Sequence, residues 1–212
     1  MLKPFVNQFE KEKLFLVGIA ASAGGLKPMQ ELLANASCHG SMAFVVASHL
    51  SRHQPSDLTK ILERASTLTT CEVKDGLEIE NCHLYTIPPD RYVKVEGSKF
   101  RVLPRPESGP NFAADVLFES LAKTYNENAI AVVLSGASVG ADGSAGIKLV
   151  KAQGGHTYAQ APDLAEFPDM PRLAIETGAV DSVASPEMIG HDLSLVSWAS
   201  SIQIHPWQTR MN

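Results

Sequence analysis

The sequence is poor in several features that mark particular classes of protein. It has three cysteines in 212 residues, Cys38, Cys71 and Cys82, and no CxxC pair, so it predicts neither a disulfide framework nor a zinc site. No apolar run approaches the ~18 residues of a membrane-spanning helix. The net charge of −5 argues against nucleic-acid binding, which depends on clustered lysine and arginine. We therefore expect a cytoplasmic protein with no membrane insertion, no metal and no cofactor.

Two phosphate-binding signatures are also missing. Residues 18–25 lack the GxGxxG spacing, and no Gly-Lys-Ser/Thr occurs in the chain, so the dinucleotide fingerprint and the P-loop are both excluded. There is no internal repeat and no linker long enough to divide the sequence. We predict one domain over residues 14–197, with an N-terminal extension at 1–13 and a C-terminal tail at 198–212.

What the sequence does contain is an alternation of short apolar runs with segments of helical periodicity, which is typical of an α/β fold. Runs that are apolar throughout predict strands buried on both faces, as in a parallel sheet. The predicted strands are 14–20, 42–47, 69–73, 82–87, 129–134, 157–159 and 180–184, with a hairpin of 92–95 and 99–102. The predicted helices are 26–36, 55–65, one from 111, 144–152, a short one ending at 178, and one from 186. The expected architecture is three-layer α/β/α, with a mainly parallel, doubly wound sheet and an antiparallel hairpin.

Ser22 follows the first predicted strand in a loop of small residues, Ala20-Ala-Ser-Ala-Gly-Gly25. A serine nucleophile on a tight strand-to-helix turn requires small neighbours. Such a turn also directs backbone amides at the start of the helix toward an oxyanion. The alternative is a nucleotide- or phosphate-binding loop, which uses the same strand–glycine–helix geometry.

His49 and Asp142 follow two further apolar strands and are candidates to act with Ser22. The carboxyl ends of parallel strands meet at one edge of a sheet, where sites in α/β proteins form. His49 is then a candidate general base, and Asp142 a candidate acid that orients its ring. The alternatives are a histidine with a plain structural role and an aspartate that caps the helix predicted at 144–152.

These segments, taken together and in order over residues 14–190, resemble the protein-glutamate methylesterase domain of bacterial chemotaxis, the CheB type. The matching motifs are Val17-Gly-Ile-Ala-Ala-Ser-Ala-Gly-Gly25, Ser48-His49-Leu50, Ile87-Pro-Pro-Asp-Arg91, Asp115-Val-Leu-Phe-Glu-Ser120, Leu134-Ser-Gly136, Ala141-Asp-Gly143 and Met170-Pro-Arg172.

The resemblance implies a serine hydrolase that removes methyl groups from glutamate methyl esters on the cytoplasmic helices of chemoreceptors, and that also deamidates receptor glutamines. It implies a catalytic triad of Ser22, His49 and Asp142. The implied oxyanion donors are the backbone amides of Ala23 and of the 136–140 loop, Ala137 in particular. Methylated receptor helices are the implied partners, and a separate receiver-domain protein or methyltransferase is a further candidate.

Two departures from the family pattern bear on these expectations. The family loop Leu-Thr-Gly-Met-Gly-x-Asp-Gly has two extra residues here, in 134–143, and no methionine. A shifted Asp142 would leave a catalytically impaired receptor-binding module of the same fold, which is the alternative function. Full-length relatives also carry a receiver domain before the esterase, whereas about 13 residues precede the first predicted strand here. We therefore expect a stand-alone member or a fragment of a larger protein.

Overall fold

Nine strands and six α-helices make up the part of the chain that the computed structural model describes, residues 14–49, 57–137 and 142–201. The strands are β1 (Phe15–Ala21), β2 (Met42–Ser48), β3 (Thr69–Glu72), β4 (His83–Thr86), β5 (Arg91–Glu96), β6 (Lys99–Pro104), β7 (Ala129–Val133), β8 (His156–Gln160) and β9 (Ser182–Ala184). The helices are α1 (Leu26–Asn35), α2 (Leu58–Ala65), α3 (Ala113–Tyr125), α4 (Ser144–Ala152), α5 (Asp169–Glu176) and α6 (Pro186–Ser201).

Seven strands form one sheet in the order β3-β4-β2-β1-β7-β8-β9, and every neighbouring pair is parallel. The remaining two, β5 and β6, pair as an antiparallel hairpin. From β1 the chain proceeds to β2 on one side, and it later returns to place β7 on the other. The strand order therefore reverses at β1, and in open α/β sheets sites form outside the carboxyl ends of the strands at such a point. This sheet confirms the predicted doubly wound architecture.

Helices cover both faces of the sheet and give the three layers that the sequence predicts. One apolar core includes buried residues of α3, α4 and α5, and the other includes buried residues of α1, α2 and α6. The closest approach of α3 to the sheet depends on Gly18 in β1. A Cβ at this position would lie 2.8 Å from the Phe118 ring, so glycine lets the helix pack directly on the strand.

The observed elements follow the predicted order, with shifts at their ends. The helix start predicted at Pro55 lies outside the described residues, and the described helix begins at Leu58. Helix α6 continues to Ser201, past the proposed domain boundary at 197. It is held there because the buried Ser197 hydroxyl accepts the amides of His39 and Gly40, at 2.9 and 3.1 Å. Within the described ranges, no helix is long and apolar enough to cross a membrane.

The expectation that the cysteines form no disulfide is wrong, because Cys38 and Cys82 are bonded to each other. Cys38 lies between α1 and β2, and Cys82 directly precedes β4, so the bond joins the amino ends of two neighbouring strands. The backbone supports this placement, since the Cys82 amide donates to the Met42 carbonyl at 2.8 Å. The cysteines are 44 residues apart, and only the pairing of β2 with β4 brings them together. Cys71 is a free thiol.

Candidate active site

Ser22 directly follows β1, at the point where the strand order reverses, and is half-buried. The turn is tight, as its small residues predict. Gly24 has a φ of +68°, and a Cβ at Gly25 would lie 2.7 Å from the Cβ of Ala21. Because α1 begins at the next residue, the free amides of its first turn lie beside the serine.

Three consecutive peptide groups around Ser22 are fixed by hydrogen bonds. The Ser22 amide donates to the Ser135 carbonyl, and the Gly25 amide donates to the Ser22 carbonyl, each at 3.0 Å. The Ala23 carbonyl accepts a hydrogen bond from the Ser135 hydroxyl at 3.1 Å. Within the described ranges the Ala23 amide itself has no acceptor. It is therefore available to a ligand, as the prediction of an oxyanion donor at Ala23 requires.

His49 lies beside Ser22 because their strands are neighbours in register. Ala21 pairs with Ser48 across the parallel β1–β2 ladder, and the His49 amide donates to the Ala21 carbonyl at 3.2 Å. The backbones of the next two residues, Ser22 and His49, are therefore about one strand spacing apart, ~4.8 Å. The register of the sheet thus places the candidate nucleophile and base on neighbouring segments of the chain.

The His49 ring contacts Asp142, with 2.7 Å between Nε2 and Oδ2. The carboxyl group is almost fully buried, and the imidazole retains 18% of its side-chain exposure. An ionised carboxylate accepts hydrogen bonds and donates none, so Nε2 carries the proton in this contact. Nδ1 is then the ring nitrogen with a free electron pair, and it is the atom that can take a proton from a serine.

Asp142 caps a helix, but it is not the helix that its position in the sequence suggests. Helix α4 begins after Gly143 and has no side-chain cap. The Asp142 carboxylate instead accepts two amides from the first turn of α3, Ala114 at 3.0 Å and Asp115 at 2.8 Å. Three donors therefore hold this buried carboxylate at the positive end of a helix. The expectation that Asp142 caps α4 is therefore wrong, and the same carboxylate caps α3 and contacts the His49 ring.

The first turn of α3 in turn caps α4, through the carboxylate of Asp115. Its Oδ1 accepts the Gly146 amide at 2.7 Å. Burial raises the pKa of Asp115, and the nearby Asp142 charge adds to this, while backbone amides of α4 partly offset it. Close contact between the helices allows this capping, since a Cβ at Gly146 would lie 2.5 Å from the Cβ of Phe118. Sequence reasoning assigned Asp115 no role. Its place in the first turn of a helix is the signal that could have identified it.

The second predicted oxyanion donor, Ala137, lies in the loop after β7. The preceding residue, Gly136, is anchored at both its backbone groups: its amide donates to Phe167, and its carbonyl accepts from Met170. Gly136 is thereby excluded as an oxyanion donor. Among the described residues the Ala137 amide has no acceptor. Residues 138–141 of this loop, which has two more residues than the family pattern, lie outside the described residues.

A buried polar residue that sequence reasoning missed supports this loop. Gln160 ends β8 and accepts the Ser135 amide on its side-chain oxygen at 2.8 Å. Its side-chain nitrogen donates to the Leu164 carbonyl at 3.0 Å. A polar residue at the end of an apolar strand, at the same edge of the sheet as Ser22, is the signal that could have identified it.

Exposed apolar side chains lie on segments next to the turn. Leu26 begins α1 and is 40% exposed, and Leu164 and Phe167 follow β8 and are 57% and 37% exposed. Phe167 is close to the turn, because a Cβ at Gly24 would lie 2.9 Å from its ring. We call these three exposed side chains, which lie on segments that flank the turn, the apolar rim.

Comparison with known proteins gives one consistent result. The family model described as CheB methylesterase matches residues 17–193. A protein-glutamate methylesterase/protein-glutamine glutaminase of Photorhabdus laumondii is 34% identical over 85% of this chain and 51% of its own length. A Leptospira interrogans protein, provisionally named for the same two activities, is 33% identical over 81% of this chain and 89% of its own length. The chain thus spans about half of the first relative and most of the second.

The same family is found among solved structures. The catalytic domain of the Thermotoga maritima CheB methylesterase superposes with a TM-score of 0.75 at 26% identity. The match covers 85% of this chain and 97% of that one, so the two share most of their fold.

Proposed function

Because the chain belongs to the CheB methylesterase family, we propose that it hydrolyses the methyl esters of receptor glutamates with a triad of Ser22, His49 and Asp142. The observation that carries this proposal is the 2.7 Å contact between His49 and a buried Asp142. His49 follows β2, which is the neighbour of the strand that Ser22 follows. A carboxylate fixed by two helix amides and aimed at an imidazole is the arrangement that gives a serine hydrolase its base.

The proposed acylation step uses these three side chains. His49 Nδ1 takes the Ser22 proton as the serine oxygen attacks the ester carbonyl, and Asp142 stabilises the imidazolium that forms. The carbonyl oxygen becomes an oxyanion that accepts the amides of Ala23 and Ala137. Each such donor contributes about 3 kcal/mol to the transition state. The imidazolium then protonates the leaving methoxide, so methanol departs and the glutamyl group remains on Ser22.

Deacylation repeats these steps with water. His49 removes a proton from water, which attacks the acyl-enzyme, and Ser22 leaves with that proton to give free enzyme and a glutamate carboxylate. A glutamine side chain would follow the same route with ammonia as the leaving group. We therefore include deamidation of receptor glutamines in the proposed activity.

The apolar rim of Leu26, Leu164 and Phe167 supports a protein substrate. Receptor signalling helices present an apolar stripe and a polar face, and a helix of this kind would place its apolar side on the rim. The proposed substrate side chain would then reach Ser22 at the carboxyl end of β1. We place this activity in the cytoplasm with the receptor helices, and we propose a separate receiver-domain protein or methyltransferase as a further partner.

The alternative, an impaired module that binds receptors without catalysis, depends on a displaced Asp142. The contact of Asp142 with His49 favours the enzyme, as does the placement of the Ala23 amide. Membership of a methylesterase family likewise favours an esterase turn over a nucleotide-binding loop at residues 18–25.

The test is methanol release from a methylated receptor fragment by the purified chain. We expect release by wild type, and none by Ser22→Ala. Ser98→Ala, at the exposed hairpin turn, serves as the matched control and should be fully active. A fluorophosphonate probe should label wild type once, at Ser22. Wild-type protein that matches Ser22→Ala on methylated receptor, and that takes up no probe, would favour the binding module.

A further inference from the structure

Ser135 is completely buried and contacts two of the loops around the candidate nucleophile, those that follow β1 and β8. Its carbonyl accepts the Ser22 amide at 3.0 Å. Its hydroxyl donates to the Ala23 carbonyl at 3.1 Å and accepts the Phe167 amide, also at 3.1 Å. Its own amide donates to Gln160 at 2.8 Å. Ser135, in the loop after β7, therefore links the loop that follows β1 to the loop that follows β8.

The two contacts with the Ser22 turn fall on either side of the peptide group that carries the Ala23 amide. The Ser135 carbonyl fixes the peptide group before it, and the Ser135 hydroxyl fixes the one after it. The middle peptide group has its carbonyl bonded to Gly25. Because a trans peptide directs its N–H opposite to its carbonyl, these bonds together fix the direction of the Ala23 N–H.

We propose that Ser135 is a positioning residue for ester hydrolysis, whose hydroxyl and carbonyl hold the Ala23 amide in the direction needed to bind the oxyanion. The proposal rests on the proposed function in two respects, the use of Ser22 as the nucleophile and of the Ala23 amide as an oxyanion donor. Ser135 touches neither the substrate nor the reacting atoms, and it acts through the peptide group of Ala23.

The contacts of the hydroxyl explain why a side chain with a hydroxyl group is needed at this position. A hydroxyl has one proton to donate, and the Ala23 carbonyl is nearer than the Phe167 carbonyl, at 3.1 Å against 3.4 Å. At the same time the oxygen accepts the Phe167 amide. An alanine would leave both groups without this partner and would free the Ala23–Gly24 peptide to rotate. A threonine has the same hydroxyl and would keep both contacts.

Turnover of a small ester, p-nitrophenyl acetate, tests the proposal, because it needs the serine and the oxyanion donors but no receptor. We expect Ser135→Ala to lower kcat about 100-fold with little change in KM, since a misdirected donor weakens binding of the transition state and not of the substrate. A boronic acid that forms a tetrahedral adduct on Ser22 should lose affinity by a similar factor. Ser135→Thr should restore both values to near wild type.

Ser120→Ala is the matched control. Ser120 is also buried, and its hydroxyl bonds two backbone groups, Val95 and Leu117, away from the site. It should lose similar stability in urea and keep its kcat. The proposal is overturned if Ser135→Ala folds and matches Ser120→Ala in kcat and in affinity for the boronic acid. If Ser135→Ala does not fold, the volume-matched Ser135→Cys enters the same comparison, and wild-type kcat in that variant overturns the proposal equally.

Failure of the proposed function gives a different result. A wild-type chain that hydrolyses no ester and takes up no fluorophosphonate removes Ser22 as the nucleophile, and this proposal falls with it. A wild-type chain that is active on p-nitrophenyl acetate but inactive on methylated receptor removes the receptor substrate alone. In that case the variants at Ser135 still decide between a positioning role and a structural one.

Discussion

Replacing Asp142 with asparagine changes one atom of a carboxylate that accepts three hydrogen bonds. His49 and the Ala114 amide share Oδ2, and the Asp115 amide occupies Oδ1. An asparagine has a single acceptor oxygen and an NH₂ group of similar size. The amide must therefore place its NH₂ group against donors that the carboxylate accepts.

Each of the two amide orientations loses something specific. With the oxygen toward His49, the NH₂ group meets the Asp115 amide, and a buried donor is left unpaired at a cost of about 1–3 kcal/mol. With the NH₂ group toward His49, the Ala114 amide is unpaired at a similar cost, and the ring must accept at Nε2. The ring proton then moves to Nδ1, the atom that should take the proton of Ser22.

We therefore expect Asp142→Asn to lower kcat by about 10³- to 10⁴-fold, from the wrong ring tautomer and the lost charge beside the imidazolium. The free energy of unfolding should fall by about 1–3 kcal/mol, which lowers Tm by several degrees in a domain of this size. The assays are methanol release, p-nitrophenyl acetate turnover and urea denaturation. Asp163→Asn, an exposed acid, is the matched control and should change none of them.

A result opposite to these would remove Asp142 from the site. If Asp142→Asn lost its expected stability but kept wild-type kcat, the carboxylate would be a helix cap for α3 and nothing more. The reverse result, low kcat at unchanged stability, would show that the α3 amides find other partners and that the ring-orienting role is separate from the cap.

Three further predictions concern other parts of the molecule. Reducing the Cys38–Cys82 disulfide opens a 44-residue loop, so the unfolding free energy in urea should fall by about 4 kcal/mol with kcat unchanged; equal urea midpoints with and without reductant, for protein shown oxidised by mass, would contradict this. In Gly136→Ala the added Cβ would lie 2.1 Å from the Met170 sulfur, so the loop after β7 that carries Ala137 should be displaced. We expect kcat to fall at least tenfold, and wild-type turnover would contradict this packing. Burial raises the pKa of Asp115, so the contribution of this group to stability should fall as pH rises from about 4 through its folded pKa. Over that range wild type should therefore lose stability relative to Asp115→Asn, and parallel stability–pH curves from urea titrations would refute this.

The order of strands and helices could be predicted from the sequence because it is written in local patterns. The uniformly apolar run of β1 predicts a strand buried on both faces. Residues 22–25 predict a tight turn, because such a turn accepts only small side chains. The position of His49 beside Ser22 also followed, since consecutive strands joined by one helix tend to be neighbours. These inferences need no knowledge of contacts between distant segments.

Contacts between distant segments decided the rest. His49 and Asp142 are 93 residues apart, and the helix that Asp142 caps precedes it in the chain, so spacing alone favoured the wrong helix. The Cys38–Cys82 bond was missed for the same reason, because it depends on β4 lying next to β2. A sequence thus determines the local conformation and the chemistry that each residue can perform. Which donor meets which acceptor is decided when the sheet order and the packing of α3 on it bring those residues together.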